Sequence, residues 1–193
     1  MNAEQLGHEI IRQASRFIGL REVKPNADWD NPQTPQRDAA LAGELRSLMR
    51  PSPWEEGWAY CAAFTEGVVT AALKVLGSTA DQIGKWQRVM TPHCVTSAAN
   101  FKSRGLLSDA PETGAVWLAR HGSSSKGHAG IFTARRGSSM ATIEANTSLD
   151  PETPEKDREG DWITTRLSFL KGRGSLATLG FINPGSILKL ISP

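Results

Sequence analysis

Cys61 in the run WAYCAAF and His128 in GHAGIF are the residue types needed to attack a carbonyl, and Glu144 and Asn146 in IEANTS are types that steer a histidine. A thiol attacks only as thiolate, so a nucleophilic cysteine needs a helix N-terminus or an imidazole beside it. Cys61 opens a long apolar run with helical character, where free backbone amides and the helix dipole favour a negative sulfur. His128 opens a segment of strand composition and can project from the sheet end as the base. Glu144 and Asn146 stand two apart, so on an extended strand they share a face, and either one accepts a hydrogen bond from the second ring nitrogen. Cysteine, histidine and a carboxylate or amide form a triad for acyl transfer, in which the Cys61 amide helps to hold the oxyanion. Tyr60 is a candidate for the second oxyanion donor by position alone.

Each residue taken singly has an ordinary explanation. Free cysteines are commonly buried, a strand histidine is usually structural, and asparagine is a frequent turn former. Their order along the chain argues for a site. Cys94 reads as an inert core thiol, and His8 and His121 read as solvent-facing. His93 and Cys94 with Cys61 and His128 supply metal-ligand types, but their spacing does not resemble a zinc site, so no metal or cofactor is expected. GSSSKGH departs from a phosphate loop at His128, where a lysine is required and a strand rather than a helix follows. Asn146-Thr147-Ser148 matches a glycosylation acceptor by accident. Trp29, Trp54, Trp58 and Trp117 are candidates to line a substrate groove, Trp58 and Trp117 being taken with Tyr60 as substrate-binding positions.

The elements that must position these residues follow from periodicity. Leu6, Ile10, Ala14, Phe17 and Ile18 recur at helical spacing, which predicts an amphipathic helix over 3–18 stopped by Gly19. The segment from Lys24 to Pro35 is rich in turn formers, and a short polar helix is expected over 37–49. From Cys61 to Gly77, Phe64, Val68, Ala72 and Val75 form one stripe while alanines, valines and leucines fill much of the rest, which marks a buried helix. A third helix is expected from Ala80 to Ser103, broken at Pro92. After Pro111 come short segments of strand composition at Gly114, His128, Met140, Trp162 and Leu179, and the polar stretch 148–161 reads as an exposed loop. Helices followed by strands indicate an α+β fold, with N-terminal helices packed on an antiparallel sheet.

The 193 residues fit one domain over 1–193, with a core at about 19–184. The formal charge of +2 is spread along the chain, which argues against nucleic acid as a partner. Two cysteines are too few for a disulfide scaffold. The N-terminus has no secretory pattern, and no stretch reaches the ~20 apolar residues that cross a bilayer. The chain is therefore expected to be made in the cytoplasm, without membrane insertion, and to need another system to reach any extracellular target.

In this order, WAYCAAF, GHAGIF, IEANTS and GFINP resemble the CHAP family of peptidoglycan amidases and endopeptidases, relatives of the NlpC-type hydrolases, and GLREVKPN resembles the segment that leads into such domains. The similarity runs from about Gly19 to Pro184. It implies a papain-like cysteine hydrolase core with Cys61 as nucleophile, His128 as base, Glu144 as the group that orients it and Asn146 as a polar partner. The implied substrate is peptidoglycan, cut at the bond joining muramic acid to L-alanine or at a stem or cross-bridge amide. Since no export signal is read in the chain, the expected delivery partner for such an enzyme is a phage holin or the secretion machinery of an antibacterial effector, the latter with an immunity protein. The sequence departs from the family at Gly114-Ala115-Val116-Trp117, where relatives carry an acidic residue after the glycine, and at Tyr60, where tryptophan often precedes the cysteine. A cysteine peptidase or transferase on another amide, and a silent peptidoglycan-binding module, are the competing readings.

Overall fold

Asn2 and Gln5 form a reciprocal capping box, each side chain bonding the other's backbone N–H, and so begin helix α1 (Ala3–Ser15). The computed structural model describes residues 1–22, 39–49, 52, 54–55, 57–148 and 162–192. The predicted stripe Leu6, Ile10, Ala14 and Phe17 is buried, but Ile18 is exposed, because regular helix stops at Ser15 and the chain turns through Gly19, whose φ is +92°. Helix α2 (Ala39–Met49) follows, tied to α1 by the Arg16–Glu44 ion pair. The turn-rich stretch from Lys24 to Pro35, with Trp29, lies outside the described residues.

Helix α3 (Cys61–Val75) is buried from Cys61 through Leu73, as its composition predicts, and packs on α1 and α2. Val75, expected in its apolar stripe, is exposed at the C-terminal end. The expected third helix is two helices, α4 (Ala80–Val89), with its own Thr79–Gln82 capping box, and α5 (Cys94–Lys102). The break falls before Pro92, since the proline disfavours helical backbone at the residue preceding it and removes an amide donor.

The strands are β1 (Val116–His121), β2 (Gly127–Arg136), β3 (Ser139–Thr147), β4 (Trp162–Phe169), β5 (Gly172–Arg173) and β6 (Leu176–Ile182). Every pairing is antiparallel, and β6 returns to β1, closing the sheet into a barrel. Alternation along each strand makes two cores. Val116, Leu118, Ala129, Ile131, Ile143 and Ala145 face the helices, whereas Trp117, Ala119, Phe132, Met140 and Phe181 fill a second cluster on the opposite faces, inside the barrel. Strands buried on both faces read as nearly continuous apolar runs, which is why VWLA and AGIF look so hydrophobic.

Helix α6 (Pro184–Ile191) has no counterpart in the sequence reading, although Pro184 at its first turn after Asn183 is a start signal. It packs on α1 and α4 and buries Ile187 and Ile191 in the helical core, to which α1 contributes Leu6 and Ile10. No helix among the described residues is long and apolar enough to cross a membrane.

Candidate active site

Cys61 is the first residue of α3, and the side chain of the preceding Tyr60 makes no capping hydrogen bond. The helix lies against β2 and β3, the strands that carry His128 and Glu144. His128 Nε2 is 2.9 Å from Glu144 Oε2, and both side chains are buried. Thr142, two residues before Glu144 and therefore on the same strand face, donates from Oγ1 to Glu144 Oε1. Trp117 meets the imidazole edge-on, with ring centroids 6.0 Å apart. With Nε2 held by the carboxylate, Nδ1 is the ring nitrogen left for the Cys61 sulfur.

A glycine makes the histidine–carboxylate contact possible. Gly130 pairs directly with Glu144 across β2 and β3, and a Cβ placed on it would stand 2.8 Å from Glu144 Cγ. The second glycine of GHAGIF thus clears the space through which Glu144 reaches the ring.

Asn146 does not share this role. The β3–β4 register shifts between Glu144 and Thr147, and Asn146 adopts φ +56°, a left-handed conformation that asparagine tolerates better than most residues. The bulge breaks the strict alternation on which a common face for Glu144 and Asn146 depends. Asn146 Oδ1 instead accepts from the Tyr60 backbone N–H at 3.4 Å, fixing the chain where it enters α3. That amide is engaged, and the Tyr60 side chain is fully buried, as is Trp117, whose Nε1 donates to Thr178. Neither ring offers a face to a substrate. Of the three positions expected to contact substrate, Trp58 is the exposed one.

Cys94, read from the sequence as an inert core thiol, is buried in the core but stands beside Cys61. It is the first residue of α5, and its sulfur lies 4.0 Å from that of Cys61. Its position at a helix start, the same as that of Cys61, was the available signal. Arg166, buried on β4, was unmarked; it donates to the Ser148 carbonyl and hydroxyl, so Ser148, expected to begin an exposed loop, is held in the interior. Residues 149–161 of that expected loop lie outside the described residues.

The Cys94 thiol beside it holds the Cys61 thiol well below its ordinary pKa, together with the charge and hydrogen bond of His128 and the Ala129 amide, against the opposing effect of burial. Burial disfavours the charged imidazole, yet the Cys61 sulfur and the Glu144 carboxylate outweigh it and raise His128 to about 9. Cys94 is pushed well above the usual range by its contact with Cys61, by burial and by the Cys61 charge. At neutral pH these directions describe a thiolate–imidazolium pair flanked by a neutral thiol and a carboxylate. Such a site is equipped for nucleophilic attack with a proton donor already charged. Comparison of the chain with family models, with curated proteins and with solved structures found no match.

Proposed function

We propose that the chain is a cysteine hydrolase that cuts an amide bond of bacterial peptidoglycan, on a papain-like core of the CHAP kind. The observation that carries this reading is the spatial convergence of Cys61 at a helix start with His128 and its Glu144 partner on adjacent strands. The resemblance of WAYCAAF, GHAGIF and IEANTS to that family supplies the substrate class.

The Cys61 thiolate attacks the carbonyl carbon of the scissile amide, and the Cys61 backbone N–H stabilises the oxyanion. His128 is already protonated at neutral pH, so its first act is to give a proton to the departing amine, after which the C–N bond breaks and a thioester remains. The now neutral imidazole takes a proton from water, hydroxide attacks the thioester, and the acid product leaves. Glu144 holds the ring in one orientation throughout and balances the imidazolium charge.

Digestion of purified peptidoglycan by the wild type and by Cys61→Ala, with products identified by mass, tests the reading. Fragments are expected from the wild type alone, and their masses name the bond. Absence of cleavage across several wall chemistries, with Cys61 still reactive toward iodoacetamide, would move the substrate to another amide.

A further inference from the structure

We propose that Cys61 and Cys94 form a peroxide-reactive dithiol that closes to a reversible disulfide and masks the nucleophile. The sulfurs are 4.0 Å apart, on the first residues of two different helices, and both side chains are buried together. The close approach is built into the fold. Gly127, at the start of the His128 strand, leaves room for it, because a Cβ there would stand 2.8 Å from Cys94 Cβ and 2.5 Å from the Ala119 carbonyl oxygen. The first residue of α5 therefore seats against the strand end that presents the catalytic imidazole.

The chemistry balances with hydrogen peroxide as oxidant. The Cys61 thiolate attacks one peroxide oxygen; an S–O bond forms, the O–O bond breaks, and the leaving hydroxide is protonated to water, giving Cys61 sulfenic acid. Cys94 sulfur then attacks the sulfenic sulfur; the S–S bond forms, the S–O bond breaks, and hydroxide departs with the Cys94 proton as a second water. Two electrons pass from the dithiol to the peroxide. The roles are unequal: Cys61 is held as thiolate and Cys94 as thiol, so Cys61 reacts first. Once Cys61 is a neutral sulfenic acid, the negative charge that kept Cys94 protonated is gone, and Cys94 ionises more readily.

Formation of the pair does not depend on the hydrolase reading, whereas masking of wall cleavage rests on it. The full chain is treated with a small excess of hydrogen peroxide, denatured, alkylated with iodoacetamide and mapped by mass. Expected are a loss of two hydrogens, no alkylation at either cysteine, a linked Cys61–Cys94 peptide pair, and full reversal by dithiothreitol. Cys94→Ser is expected to stop at a sulfenic acid that dimedone traps, and Cys61→Ala to leave Cys94 alkylatable. Over-oxidised Cys61 beside an alkylated Cys94 in the wild type, a disulfide between two chains, or two unoxidised thiols would each overturn the pair. Peroxide should abolish peptidoglycan cleavage and dithiothreitol restore it. A linked pair in a protein that never cleaves peptidoglycan overturns the wall substrate and leaves the dithiol standing.

Discussion

Glu144 acts through charge and through geometry, and the two can be separated. Glu144→Gln keeps an oxygen that accepts from His128 Nε2 but removes the negative charge that helps to hold the imidazole at about 9. In the wild type, hydrolysis should fall as pH rises through about 9, because the leaving amine then finds no proton, whereas alkylation of Cys61 should persist, since the thiolate remains. The variant should lose hydrolysis at lower pH than the wild type, and its alkylation should begin to fail at higher pH on the acid side, because a less stable imidazolium supports the thiolate less. At neutral pH replacing the hydrogen bond between charged partners by one to a neutral amide should lower kcat/KM on the order of tenfold. Unchanged pH limits for both reactions would remove Glu144 from the electrostatics of the site. Residue types and order made Cys61, His128 and Glu144 legible in the sequence. The choice between Glu144 and Asn146 was not legible, because strand alternation assumes an unbroken register and the bulge after Glu144 sends the Asn146 amide to Tyr60. Cys94 was legible as a core thiol but not as a neighbour of Cys61, because proximity between residues on separate helices leaves no trace in spacing along the chain.

Helix α3 carries the proposed nucleophile and also a buried carboxylate. Glu66 is buried on α3 where that helix packs on α4, with Oε1 accepting from Thr70, and burial outweighs the hydrogen bonds of Thr70 and Gln87 and the charge of Lys74 to raise it to about 7. A carboxyl group raised in the folded state binds its proton more tightly there than in the unfolded chain. Its effect is thus absent at acid pH, where both states are protonated, and grows as a destabilisation while pH rises from about 4.5 through about 7. Glu66→Gln should remove that slope. In urea unfolding the variant should gain relative to wild type between pH 5 and pH 8, by roughly 2–3 kcal/mol from the size of the shift. An equal difference at both pH values would show that Glu66 does not titrate in the interior. The helix itself was plain from composition, since a segment apolar nearly all round has to be buried. Helix α6 was harder to see because it is short and follows the last strand directly, and β5 is two residues held only by its neighbours. Barrel closure depends on the β1–β6 pairing of distant segments, which local pattern does not encode.

Cys61 rides on the helical layer and His128 on the barrel, so the geometry of the proposed site depends on how closely the two layers sit. One place where they touch backbone to backbone is the contact between α1 and the turn entering β1. A Cβ on Gly114 would stand 2.4 Å from Gly7 Cα, and one on Gly7 would stand 2.2 Å from the Thr113 carbonyl oxygen. Gly114 also has φ +81°, so an alanine there meets both conformational strain and a clash against backbone that cannot move aside without shifting α1. Gly137 separates the two costs, having φ +62° with no atom within 4 Å of where its Cβ would be. Gly137→Ala should cost about 1 kcal/mol, the price of a left-handed backbone. Gly114→Ala should cost about 3 kcal/mol or more, a fall in Tm of roughly 6–12 °C for a chain of this size. Equal losses at the two sites would mean that α1 yields freely and that the contact does not set the layer spacing. A larger loss at Gly114 should bring a second effect absent from Gly137→Ala. As α1 is pushed outward, α3, which packs on it, loses its fixed distance to His128, and the acid limit of Cys61 alkylation should move upward as the imidazolium stabilises the thiolate less.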